Sequence, residues 1–220
     1  MGVHRCLFVD QRGGRSFEHD VARPYLGMPQ WSRISNVLAP GEYFDDVRAL
    51  IVVTSFPLAY LGYSTTTNGS GIADDLMDHW ACCTNRAEQI QFMRALRKWK
   101  GDADRELLVV GSDVHIGCHT VIGHEGEAVY KQLITSPLTN KPPVWIAYTF
   151  LKGLLEFEED LTDSYSFGHS SYIRMRNHGL IVFRIPAKAA AVPKVGGGLE
   201  IPWVETMQPW GSCHSKALKS

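Results

Sequence analysis

Three short apolar runs, each stopping abruptly in polar residues, constrain this chain more than any other feature. Cys6-Leu7-Phe8-Val9 runs into Asp10-Gln11-Arg12, and Leu50-Ile51-Val52-Val53 runs into Thr54-Ser55. Leu107-Leu108-Val109-Val110 runs into Gly111-Ser112-Asp113-Val114-His115. The runs are continuous rather than alternating, the pattern of strands covered on both faces of a sheet. A fourth strand is expected around Tyr130 to Ile134, ending in Thr135-Ser136. In α/β sheets ligand sites collect at the carboxyl ends of strands, because the loops converge there. The polar ends are therefore where function is sought.

Helices fit between the strands. Pro29 to Leu38 places Trp31, Ile34 and Leu38 on one stripe. Asn85 to Lys100 is stronger: Asn85 followed by Glu88 resembles a capping box, and Phe92, Leu96 and Trp99 share a face, as do Ile90 and Met93. Arg94, Arg97, Lys98 and Lys100 load its C-terminal end, where the helix dipole favours cations, and Gly101 can stop it. This basic run reads as a solvated helix end rather than a nucleic-acid patch. A third helix is expected from Pro142-Pro143 through Trp145, Ile146, Phe150 and Leu154, followed by a solvated acidic loop from Glu156 to Asp163. Tyr172 to Arg176 and Leu180 to Ile185 flank Asn177-His178-Gly179, which predicts a hairpin turning at that triplet. Ala187 to Gly198 reads as a linker, so the organisation is a domain over residues 1–186 and a linker with tail over 187–220.

Composition sets limits on partners. With 22 Lys and Arg against 23 Asp and Glu in 220 residues, no general basic field draws in nucleic acid or an anionic membrane. The most apolar stretch, Ala49 to Tyr63, is broken by Thr54, Ser55 and Pro57 and falls short of the ~20 residues that cross a bilayer. No signal-peptide pattern opens the sequence, and Cys6 stands where a myristoylation signal wants Ser or Thr. Five cysteines without a paired spacing read as free thiols in a reducing compartment, and the localisation stays open.

The sharpest chemical feature is Asp113-Val114-His115. In an extended segment residues i and i+2 point to the same side, so a carboxylate and an imidazole can address one metal ion, or each other as a structural pair. Mixed oxygen and nitrogen ligation suits iron, zinc or manganese. Cys118, His119 and His124 are expected on a loop of solvated histidines. Ser112 lies outside a nucleophile elbow, and Asp74, Asp75 and Asp78 lack calcium-loop spacing.

Five segments in one order resemble the PhoD-like alkaline phosphatases. They are Val9-Asp10-Gln11-Arg12 with Gly27-Met28-Pro29-Gln30-Trp31, Asp75 to Trp80 with Arg86, Leu107 to Ile116, Gln132 to Asn140, and Arg176-Asn177-His178-Gly179. The resemblance implies part of a four-layer αββα sandwich and a dinuclear metal centre of iron, calcium, zinc or manganese, acting on phosphate esters through metal-activated water. It implies Asp113 and His115 as metal ligands and catalytic residues, with Arg12, Ser136 and Asn140 lining the phosphate cleft. Arg12 has a second reading as a structural partner of Asp10 or Asp20. The family's other ligands lie on strands upstream of the quoted motifs, and a dinuclear centre needs about six to eight ligands. The chain is accordingly expected to be the C-terminal portion of a catalytic domain, the alternative being a noncatalytic remnant that binds without turnover.

Overall fold

The computed structural model describes residues 3–14, 25–63, 66, 79–82, 84–101, 105–136, 141, 143–156, 164–182 and 204–209. The fold is mixed α/β. Strands β1 (Val3–Val9), β2 (Val47–Thr54), β3 (Glu106–Gly111), β4 (Gly117–His124), β5 (Glu127–Ile134) and β6 (Tyr165–Ile173) form one sheet in the order β1-β2-β3-β5-β4-β6. Strands β1, β2, β3 and β5 are parallel, while β4 runs antiparallel between β5 and β6. The three apolar runs are thus the parallel half of the sheet, and the buried sequence Leu107-Leu108-Val109 shows both faces of β3 covered.

Helix α1 (Met28–Val37) buries Trp31 and Ile34, and Leu38 follows them into the core, matching the predicted stripe. Helix α2 (Arg86–Lys100) buries Ile90, Phe92, Met93, Leu96 and Trp99 against the sheet, with Trp80 stacked on Phe92 at 5.8 Å. The expected capping box does not form. Asn85 flanks the helix without capping it, and the Glu88 carboxylate instead accepts the backbone N–H groups of Tyr25 and Leu26 and the Trp31 indole N–H. Those three donors precede or belong to α1, so Glu88 joins two helices rather than closing one.

Two further expectations change. Residues 117–124 are strand β4 rather than a histidine loop: Cys118, Thr120, Ile122 and His124 are buried in it. The β4–β5 hairpin turns on Glu125-Gly126, both at positive φ, the two-residue turn whose twist suits a hairpin. The triplet Asn177-His178-Gly179 is not a turn but the start of β7 (Asn177–Val182), which pairs antiparallel with β8 (Val204–Pro209). Asn177 is there for its hydrogen bonds in the interior, described below. Six residues of the expected tail therefore pair with β7, and the two strands form a second, two-stranded sheet. Helix α3 (Trp145–Glu156) packs Leu155 against a smaller core with Ile116, Cys118 and Ile134.

Candidate functional site at the strand ends

The parallel strands bring four polar segments to one end of the sheet. At the end of β1, the Asp10 carboxylate accepts the N–H groups of Arg12 and Gly13, both at 2.9 Å, closing a tight turn. These two bonds, that of Gly13 first, hold the Asp10 carboxyl below its usual 3.8. The turn is anchored by α1: Asp10 N–H donates to Gln30 Oε1 at 2.8 Å, and Gln30 Nε2 donates to the Asp10 carbonyl at 2.7 Å.

From this turn the Arg12 guanidinium reaches across the sheet end, lying 5.0 Å over the Phe56 ring and forming an ion pair with Asp113 beyond β3. Among the described residues its ion-pair partner is thus Asp113 rather than Asp10; Asp20 lies outside the described residues. Asp113 and His115 are both exposed. The expected extended geometry is not present: Asp113 sits at φ 63° and residues 113–116 bend, so the two-residue repeat of a strand does not apply to them.

Sequence reasoning missed what holds this end of the sheet together. The loop after β2, residues 55–60, is largely buried, and a buried loop must have its backbone polar groups satisfied. Three glutamines do so. Gln11 Oε1 accepts Phe56 N–H at 2.6 Å and the Ser55 hydroxyl at 3.1 Å. Gln132 Oε1 accepts Leu58 and Ala59 N–H at 2.7 and 3.1 Å, while its Nε2 donates to the Ala59 carbonyl at 2.5 Å. Gln89 Nε2 donates to the Leu58 carbonyl at 2.6 Å. Gly111 lets the loop cross β3, since a Cβ there would come 2.7 Å from Pro57 Cα. The available signal was polar residues at core positions: Gln89 on the apolar face of α2 and Gln132 just before Leu133-Ile134.

Ser136, at the end of β5, is buried. Its hydroxyl donates to the Met175 carbonyl at 3.0 Å and accepts from Asn177 Nδ2 at 2.9 Å, while Asn177 Oδ1 accepts Ser136 N–H at 3.2 Å. The pair fastens β7 beside the strand ends. Asn140, Asp74, Asp75 and Asp78 lie outside the described residues.

A second polar group lies deeper. The His169 ring nitrogen Nδ1 is 2.8 Å from Thr120 Oγ1 and 3.9 Å from Cys118 Sγ. Burial pushes the Cys118 thiol up to about 12 and brings His169 down to about 4. The thiol stays protonated and faces His169 rather than its neighbour His119, so this is a packed polar contact and not an activated nucleophile.

Among the described residues no three His, Cys, Asp or Glu side chains come together, and Asp113 is engaged by Arg12. These residues alone do not fit a dinuclear metal centre, which needs about six to eight ligands.

The geometry defines an α/β sheet protein with polar side chains gathered where parallel strands end. Its fold is similar to the solved structure of PhoD, with a TM-score of 0.54 and 12% identity over 86% of this chain. The chain spans 38% of PhoD's length. No family model and no curated protein matches the sequence. The likeness is one of fold.

Proposed function

We propose that this chain forms part of a metal-dependent phosphoesterase of the PhoD-like alkaline phosphatase type. The observation that carries the reading is the meeting of Arg12 and Asp113 over the ends of β1 and β3 in a fold similar to PhoD. A guanidinium is always charged and presents a planar fork of donors, which matches two oxygens of a phosphate ester. Stacked on Phe56 and rooted in a turn tied by Asp10 and Gln30, it is held for that purpose. Positive charge fixed where phosphate oxygens gain negative charge stabilises the transition state, an effect worth about 10²- to 10³-fold in rate for one such group.

The reading assigns Asp113 and His115 to metal ligation, together with ligands beyond the described residues, and Arg12, Ser136 and Asn140 to the phosphate cleft. Ser136 would act by keeping β7 against the cleft, since its hydroxyl is already engaged. A second reading, a noncatalytic binding module, is favoured by the Arg12–Asp113 ion pair, which neutralises both groups, and by the small donor set among the described residues.

One experiment separates them. Hydrolysis of a nitrophenyl phosphate monoester and diester is measured with manganese, zinc, iron or calcium added, and again after chelation, for the wild type, Asp113→Asn, His115→Ala and Arg12→Gln. Chelator-sensitive turnover lost in the first two variants and reduced about 100-fold in the third supports the enzyme. Wild-type rates in all three sink the site assignment. A folded chain with no metal-dependent turnover and no metal uptake supports the binding module.

A further inference from the structure

Helix α1 presents a second stripe beside the one that meets the core. Gln30, Arg33, Ile34 and Val37 share a helix face and line a groove of about 570 Å³ between α1 and the outer strand β1. Leu7 and Leu26 add apolar wall, and two rings stand at its rim with most of their surface in water: Phe8 is 74% exposed and Tyr43 62%. The groove is bounded at both ends. At one, the chain at Gly14 passes so close that a Cβ there would come 2.6 Å from the Leu26 carbonyl oxygen. At the other, Phe44 N–H donates to the Val37 carbonyl at 3.1 Å and fixes Tyr43-Phe44 beside the last turn of α1. A bounded groove of this volume, largely apolar with few polar groups, has the form of a small-molecule site rather than a seat for a strand or helix. At about 30 Å³ per water-sized group it holds roughly fifteen to twenty non-hydrogen atoms.

Its charges specify the ligand. Asp10 and Arg33 are the charged residues among those that line it. The Asp10 carboxylate is spent on the N–H groups of Arg12 and Gly13, and the Gln30 amide on Asp10 and Leu26. Arg33 differs: it is exposed, and among the described residues none pairs with its guanidinium. The other charges near the rim are accounted for. Arg5 pairs with Asp46 at 3.2 Å and Arg105 with Asp45 at 3.1 Å, while Glu42 does not line the groove. An unengaged guanidinium beside an apolar trough matches a molecule with an apolar body and one anionic end, because a carboxylate or phosphate takes its forked donors.

We propose that the α1–β1 groove binds an amphipathic organic anion whose head group is held by Arg33. The inference does not depend on the phosphoesterase reading, since neither Arg12 nor Asp113 lines the groove. The test is isothermal titration calorimetry of the full chain with decanoate, decyl phosphate and uncharged decanol, all below their micellar concentrations. Arg33→Gln and Phe8→Glu change exposed side chains, and their far-UV circular dichroism and melting serve as the folding control. The expected result is single-site binding of at least one anion, about tenfold tighter than decanol and weakened about tenfold in each variant. The tighter of the two anions identifies the head group. No saturable binding of either anion, unchanged affinity in both variants, or decanol binding as tightly as the anions overturns the proposal. So does a wild-type dimer in light scattering that Phe8→Glu dissolves, since the groove would then be an interface between copies.

Discussion

Replacing Gln132 with Met keeps the length and approximate volume of the side chain but removes both of its polar ends. Leu58 N–H, Ala59 N–H and the Ala59 carbonyl then lose their partner in a loop that water does not reach. Each buried group left without a partner costs about 1–3 kcal/mol, and relaxation of the loop makes the three less than additive. The thioether recovers roughly 1 kcal/mol of transfer energy, so the expected loss is about 3 kcal/mol, near the upper end for single substitutions. With a urea slope of roughly 2 kcal/mol per molar, the unfolding midpoint should fall by about 1.5 M. Gln89→Met leaves only the Leu58 carbonyl and should cost about 1 kcal/mol. The assay is urea denaturation followed by tryptophan emission. A Gln132→Met midpoint within about 0.3 M of wild type, at unchanged slope, would refute the view that side-chain amides hold the loop in place.

Other outcomes follow from the buried polar group. His169 titrates near 4 in the folded chain against 6.5 unfolded, so between those values the unfolded state binds more protons. Stability present above pH 6.5 is then lost as pH falls toward 4, by about 3 kcal/mol in full. Urea midpoints at pH 7.5 and 4.5 should differ less in His169→Leu than in wild type, and an equal difference would exclude His169 as the source. Iodoacetamide at pH 8 should label exposed Cys6 in the native protein and reach Cys118, whose thiol is pushed up to about 12, only after unfolding. Peptide mass mapping reads this directly, and rapid native labelling of Cys118 would contradict its placement.

The parallel half of the sheet was legible because burial on both faces leaves a distinctive signature, unbroken apolar runs such as Leu107 to Val110. Helix α2 was legible for the complementary reason: one face carries Phe92, Leu96 and Trp99 while the last turn collects cations. Strand β4 was not, since His119 and His124 interrupt its apolar residues and the turn after it uses Glu-Gly rather than a stronger turn pair. Asn177 misled because Asn favours turns when it is solvated, whereas here its amide is buried against Ser136. At the site, Arg12 and Asp113 could each be singled out, but their pairing spans 101 residues and depends on the sheet order. The bend at Asp113 follows from the backbone, which residue spacing does not report. Glu88 shows the same limit: a local capping pattern gave way to partners 57 to 63 positions away.

The glutamine-held loop has a consequence for the order in which the molecule comes together during synthesis. Its fasteners lie 45, 31 and 74 positions away in sequence. Gln11 has left the ribosome before the loop does, but Gln132 emerges long after it. Until β5 joins the sheet, Leu58 and Ala59 must stay hydrated or find a temporary partner. Contacts of such sequence separation form late because the intervening chain must first be closed. The loop that sets Phe56 beneath Arg12 is thus among the last features to mature, and a nascent chain stalled before residue 132 would carry that loop without the Gln132 amide.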